Sequence, residues 1–127
     1  MSKSNGRYCR NKGHDWERRV ARDLREAYGE GDLPAKESSV RRGQQGGGGE
    51  LEPDVRGPHQ WAECKKGKKT MWRTALNQAL KDWKVAKKAG YVGETVPMAV
   101  CRDDNQTPVV ILRWEDYLAL LKTALGR

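Results

Sequence analysis

From Asp15 onward, apolar residues recur at helical spacing. Trp16, Val20, Leu24, Ala27 and Tyr28 stand three and four apart, and Gly29 and Gly31 end the pattern. "SSVRRGQQ" reads as a short strand entering a turn. "QQGGGGE" predicts a flexible loop, because four glycines are costly to order. "LEPDVRG" and "QWAECKK" predict two strands joined by a turn at Gly57-Pro58. Strand side chains alternate between faces, so Trp61, Glu63 and Lys65 share one side while small Ala62 and Cys64 share the other. Thr70 is placed to cap a second helix, with Met71, Trp72, Ala75, Leu76, Ala79, Leu80, Trp83 and Ala86 as its buried stripe and Gly90 at its end. "VPMAVC" and "PVVILR" suit buried strands around a "DDNQT" hairpin turn, and a last helix spans roughly 114 to 125. The order is helix, three strands, helix, two strands, helix. It predicts one α/β domain, a mixed central sheet flanked by helices, over residues 14–127. Residues 1–13 are polar and basic and read as a flexible arm.

Charge sharpens this picture. The 127 residues carry a formal net charge of +8, and residues 61–90 alone hold +7, against +3 for 1–30 and −1 for each of the stretches 31–60 and 91–127. An excess concentrated in this way favours a polyanionic partner, nucleic acid before membrane. Arg41, Arg42, Lys66, Lys68, Lys69, Lys81, Lys84 and Lys88 are the expected DNA contacts, the last three lying on the outer face of the second helix. No stretch has the ~20 apolar residues of a membrane span. Three cysteines at wide spacing do not make a disulfide framework, which points to a reducing cytoplasm. Cys9, His14, His59, Cys64 and Cys101 lack the short paired spacing of a zinc site.

Within this basic chain, Asp54 and Glu63 are carboxylates on adjacent predicted strands, with Lys65 two residues beyond Glu63. Two such carboxylates can hold a hard divalent ion, Mg²⁺ or Mn²⁺, in a shell completed by water. The ion can polarise a phosphodiester, and a neighbouring lysine can position or deprotonate water. A bound cation also reverses the sign of a site that would otherwise repel DNA.

Pro53-Asp54 followed by Glu63-Cys64-Lys65 resembles the PD-(D/E)xK nuclease signature. Glu17 in "WERRVARDL" matches an early acidic metal ligand of many relatives, and Gln78 matches a glutamine on the helix after the lysine strand. Over roughly residues 13–121 the chain is most similar to archaeal-type Holliday junction resolvases, from Gly13 to Leu24 and through "VRRGQQGG". Those resolvases usually carry a serine before the loop glycine, where Gln44 and Gln45 stand nearby here. The VRR-type nuclease module has an equally compatible order of motifs. The resemblance implies a restriction-endonuclease-like core and metal-dependent endonucleolytic hydrolysis of DNA. It names Glu17, Asp54, Glu63, Lys65 and Gln78 as catalytic, the three acids also as metal ligands or near-ligands. The resolvase branch further implies branched DNA as substrate and a homodimer.

Each of these residues also has a simpler structural reading. Glu17 can be a surface charge paired along its helix, Asp54 and Glu63 ordinary strand carboxylates, Lys65 and Gln78 surface residues. Trp61, Trp72 and Trp83 read as core and not as base-stacking residues. A basic DNA-binding module without catalysis is the competing function, and the complete Asp54, Glu63, Lys65 set argues for the enzyme. An RNA-binding accessory protein would show aromatic-rich strands, which a chain without Phe does not offer.

Overall fold

In a computed structural model of the chain, residues 2–43 and 51–127 are described, with side chains from Gly13 onward. The glycine loop, Gln44 and Gln45 lie outside the described residues, as does the side chain of Cys9. The helix predicted from Asp15 is α1, Ser2–Ala27. It runs back through the stretch read as an arm, since adding turns to a helix already anchored by packing needs no new nucleation. Trp16, Val20 and Ala21 bury its inner face, whereas Ala27 is exposed.

Two short strands follow, β1 (Arg41–Arg42) and β2 (Val55–Arg56), then β3 (Gln60–Gly67), α2 (Trp72–Lys88), β4 (Val96–Asp103), β5 (Val109–Ile111) and α3 (Trp114–Ala124). Among the described residues, a 3₁₀ turn at Ala35–Glu37 is the one element that the hydrophobic pattern does not announce. The five strands form one sheet in the order β1-β2-β3-β4-β5. Neighbours pair antiparallel except β3 and β4, which run parallel and are joined through α2. This is the expected mixed sheet with helices packed on it, an α/β fold.

The alternation along β3 sorts the two helical layers. Ala62 and Cys64 pack with Trp16, Val20 and Val55 on the α1 side. Trp61 packs with Ala79, Ala86 and Val92 on the α2 side, and Ala75 meets Ala99 and Cys101 of β4. The fully buried residues of α2 are alanines, Ala75, Ala79 and Ala86, with Leu76 and Trp83 packed beside them, so the helix lies close to the strands. Ala79→Leu should therefore overpack this layer and lower the unfolding free energy by about 1–3 kcal/mol, read as a reduced urea midpoint at unchanged slope. Both long helices end as the glycines predict. Gly29 and Gly90 adopt φ of +73° and +86°, and the amides of Glu30 and Tyr91 reach back to the carbonyls of Arg25 and Ala86.

Three expectations change. Thr70 does not cap α2: its N–H and hydroxyl both donate to Asp103 Oδ1 at 2.8 Å, and Met71 occupies the cap position without a side-chain bond. Met71 and Trp72 leave the buried stripe, being 70% and 41% exposed, because α2 first meets the sheet at Ala75. Val109 and Val110 are exposed because β5 is the sheet's edge. Among the described residues, no helix is long and apolar enough to cross a membrane.

Candidate active site

Asp54 stands one residue before β2, and Val55 pairs with Ala62. Continued by one residue, that register sets Asp54 opposite Glu63. Asp54 Oδ2 accepts the Cys64 N–H at 2.9 Å, fixing its carboxylate to the backbone of the central strand. Behind it, the Gly43 N–H donates to the Asp54 carbonyl at 2.9 Å. A Cβ on Gly43 would lie 2.3 Å from the Pro53 carbonyl oxygen, so only glycine allows β1 to approach this closely.

Glu63 is buried, 8% exposed, on the α2 side of β3. Burial in the sheet pushes its carboxyl up to about 8, and Asp54 adds to this by repelling its charge and by hydrogen bonding its protonated form. The charge of Asp82 on α2 acts in the same direction, while Lys65 acts in the opposite one. Lys65 itself is exposed. Gln78 donates from Nε2 to Asp82 Oδ2 at 2.9 Å, so the expected glutamine reaches this group of charges through an aspartate. Sequence reasoning did not single out Asp82. Its signal was present: Asp82 is four residues after Gln78, on the same helical face.

Glu17 takes a different place. It belongs to α1, on the Ala62 and Cys64 side of the sheet, and its carboxylate pairs with Arg42 Nη2 at 3.1 Å. His14 Nδ1 lies 3.1 Å from the same Arg42 nitrogen. Arg42, expected as a DNA contact, is thus engaged inside the protein, while Arg41, Lys66, Lys68, Lys69, Lys81, Lys84 and Lys88 are exposed. Burial, with the charges of Asp54, Glu17 and Glu63, raises the Cys64 thiol far above its ordinary value. Cys64 therefore stays a neutral core residue.

Among the described residues, no three His, Cys, Asp or Glu side chains form a ready metal cluster. A carboxylate pair is nevertheless suited to Mg²⁺, which commonly binds through one or two carboxylates plus water and substrate phosphate. The donors here are hard oxygens, the nearby thiol is held protonated, and an ion between the two acids would relieve the repulsion that raises Glu63. The residues fit the ion.

A family model described as "Phage putative PDDEXK endonuclease" matches residues 8–125. Curated proteins and solved structures give no match.

Proposed function

The chain belongs to the PDDEXK endonuclease family, a nuclease group within the PD-(D/E)xK superfamily, and from that premise we propose that it hydrolyses branched DNA as a homodimer with Mg²⁺ or Mn²⁺. The observation that carries this reading is the buried Glu63 set against Asp54, with Lys65 on the same face of β3. Asp54 and Glu63 would hold the ion, which when bound supplies positive charge to a phosphodiester gaining negative charge. Lys65 orients the attacking water and accepts or steadies its proton as the water oxygen bonds to phosphorus, and as the P–O bond to the leaving sugar breaks, that sugar oxygen takes a proton from solvent water. On α2, Gln78 holds Asp82, whose negative charge opposes ionisation of Glu63 and so adds to the demand for a cation at this site. Glu17 acts at one remove, anchoring Arg42 and with it the strand whose Gly43 supports Asp54.

The exposed lysines of the β3–α2 region grip the DNA backbone. A four-way junction presents two symmetric strands, so paired incision requires two sites related by a two-fold axis, and one chain supplies one Asp54–Glu63–Lys65 set. The test is cleavage of four-way, flap, duplex and single-stranded DNA with Mg²⁺, combined with light scattering. Paired junction nicks by a dimer are expected. A monomer that nicks duplex as readily as junctions would exclude the resolvase and leave a simpler VRR-like nuclease.

A further inference from the structure

The start of α2 carries large apolar side chains into solvent beside unusually dense positive charge. Met71 and Trp72 are exposed, and the Arg73 guanidinium lies over the Trp72 ring, 4.6 Å from its centroid. They line a groove of about 680 Å³ together with Lys69, Asp103 and Val109. Five of the nine residues 65–73 are Lys or Arg and none is acidic. Asp103, a carboxylate in the groove, is taken up by the N–H and hydroxyl of Thr70, where it fixes the loop ahead of the helix.

This combination identifies the class of ligand. Lys69 and Arg73 line the groove, Lys65, Lys66 and Lys68 come just before it in the chain, and the one lining carboxylate, Asp103, is held by Thr70; this positive excess would repel a basic partner, and for a neutral apolar one it would cost desolvation without return. Duplex phosphates would be served by the lysines alone, since stacked bases cannot reach an indole face. Aromatic surface within a basic groove suits single-stranded nucleic acid, whose unpaired bases stack on the ring while the phosphates meet the cations. An Arg stacked on Trp also stiffens the ring it covers. Lys69, at the edge of the groove, lies two residues past the end of β3 at Gly67, and Gly67 itself is four residues beyond Glu63, about 13 Å at ~3.3 Å per residue, so the groove opens within a few nucleotides of the carboxylates.

We propose that this groove is a subsite for an unpaired nucleotide of the DNA substrate, its base stacked on Trp72 and its phosphate held between Lys69 and Arg73. Resting on the nuclease reading above, this names what the active site selects: DNA in which paired and unpaired strands meet beside the scissile bond. The subsite favours forks, flaps and junctions with open arms over continuous duplex.

Fluorescence anisotropy without divalent ions measures this apart from cleavage. The probes are a fork with two unpaired arms and a continuous duplex of the same length. Trp72→Ala should weaken fork binding by about tenfold or more, the usual loss for one stacking aromatic, and change duplex binding much less. Trp72→Phe should recover most of the loss. Equal losses on both probes, or no loss on the fork, would overturn the subsite. Photo-crosslinking of wild-type protein to 5-iodouracil placed in the unpaired arm gives an answer that does not depend on a variant folding. The adduct should map to the peptide containing Trp72, and an adduct confined to other segments refutes the proposal. The two readings fail separately. A wild-type protein that binds forks through Trp72 but cleaves no DNA with Mg²⁺ would end the nuclease reading alone. One that cleaves DNA while Trp72→Ala treats fork and duplex alike would end the subsite alone.

Discussion

Glu63→Gln is expected to abolish DNA cleavage, by a factor of about 10³ or more, the scale of losing a preorganised electrostatic group. It should leave DNA affinity intact, because no lysine is touched. The same substitution should relieve the metal-free fold. Glu63 has an ordinary value of 4.5, and burial beside Asp54 raises it to about 8. Between those values the folded protein binds more protons than the unfolded chain, so wild-type stability falls as pH rises from about 4.5 to about 8. Glutamine resembles the protonated form and removes this slope. Thermal melts in chelator across that range should show wild type declining more steeply than Glu63→Gln, and Mg²⁺ should restore wild type alone. A variant that still cleaves at the wild-type rate would remove Glu63 from the site.

Lys65→Ala is expected to lower the rate at saturating DNA by about 10²–10³-fold with little change in affinity. Lys81, Lys84 and Lys88 differ from it in position, on the outer face of α2 and away from the carboxylates. Replacing any one of them should weaken binding to all sequences and reduce the salt slope by about one for each phosphate no longer neutralised. Single-turnover kinetics at several salt concentrations separates the two effects. If Lys65→Ala only raised the apparent dissociation constant, Lys65 would be one more residue holding the DNA backbone.

The alternation in "QWAECKK" was enough to place Trp61, Glu63 and Lys65 together, because a strand buried on both faces leaves its side chains no other periodicity. Gly29 and Gly90 marked helix ends for an equally local reason. What local pattern does not contain is where a neighbouring layer stops. Met71 and Trp72 fit the apolar stripe of α2 but lie ahead of the point where α2 meets the sheet, and Val109 and Val110 read as core but lie on an edge. Pairings between distant segments were equally hidden. The Glu17–Arg42 bond spans 25 residues, and Thr70 turned from its own helix to Asp103, 33 residues away. The parallel pairing of β3 with β4 is likewise a property of the assembled sheet.

The placement of Glu63 and Lys65 also bears on how reliably the chain finds its native pairing. A slip of β3 by one residue reverses every side chain on it. Ala62 and Cys64 would then face α2, while Trp61, Glu63 and Lys65 would be driven against Trp16, Val20 and Val55. A bulky indole and two charges would replace two small buried residues against α1, without partners for either charge. The misaligned sheet is thus disfavoured by Glu63 and Lys65, and the residues proposed to cut DNA would also act as a proofreading device for folding.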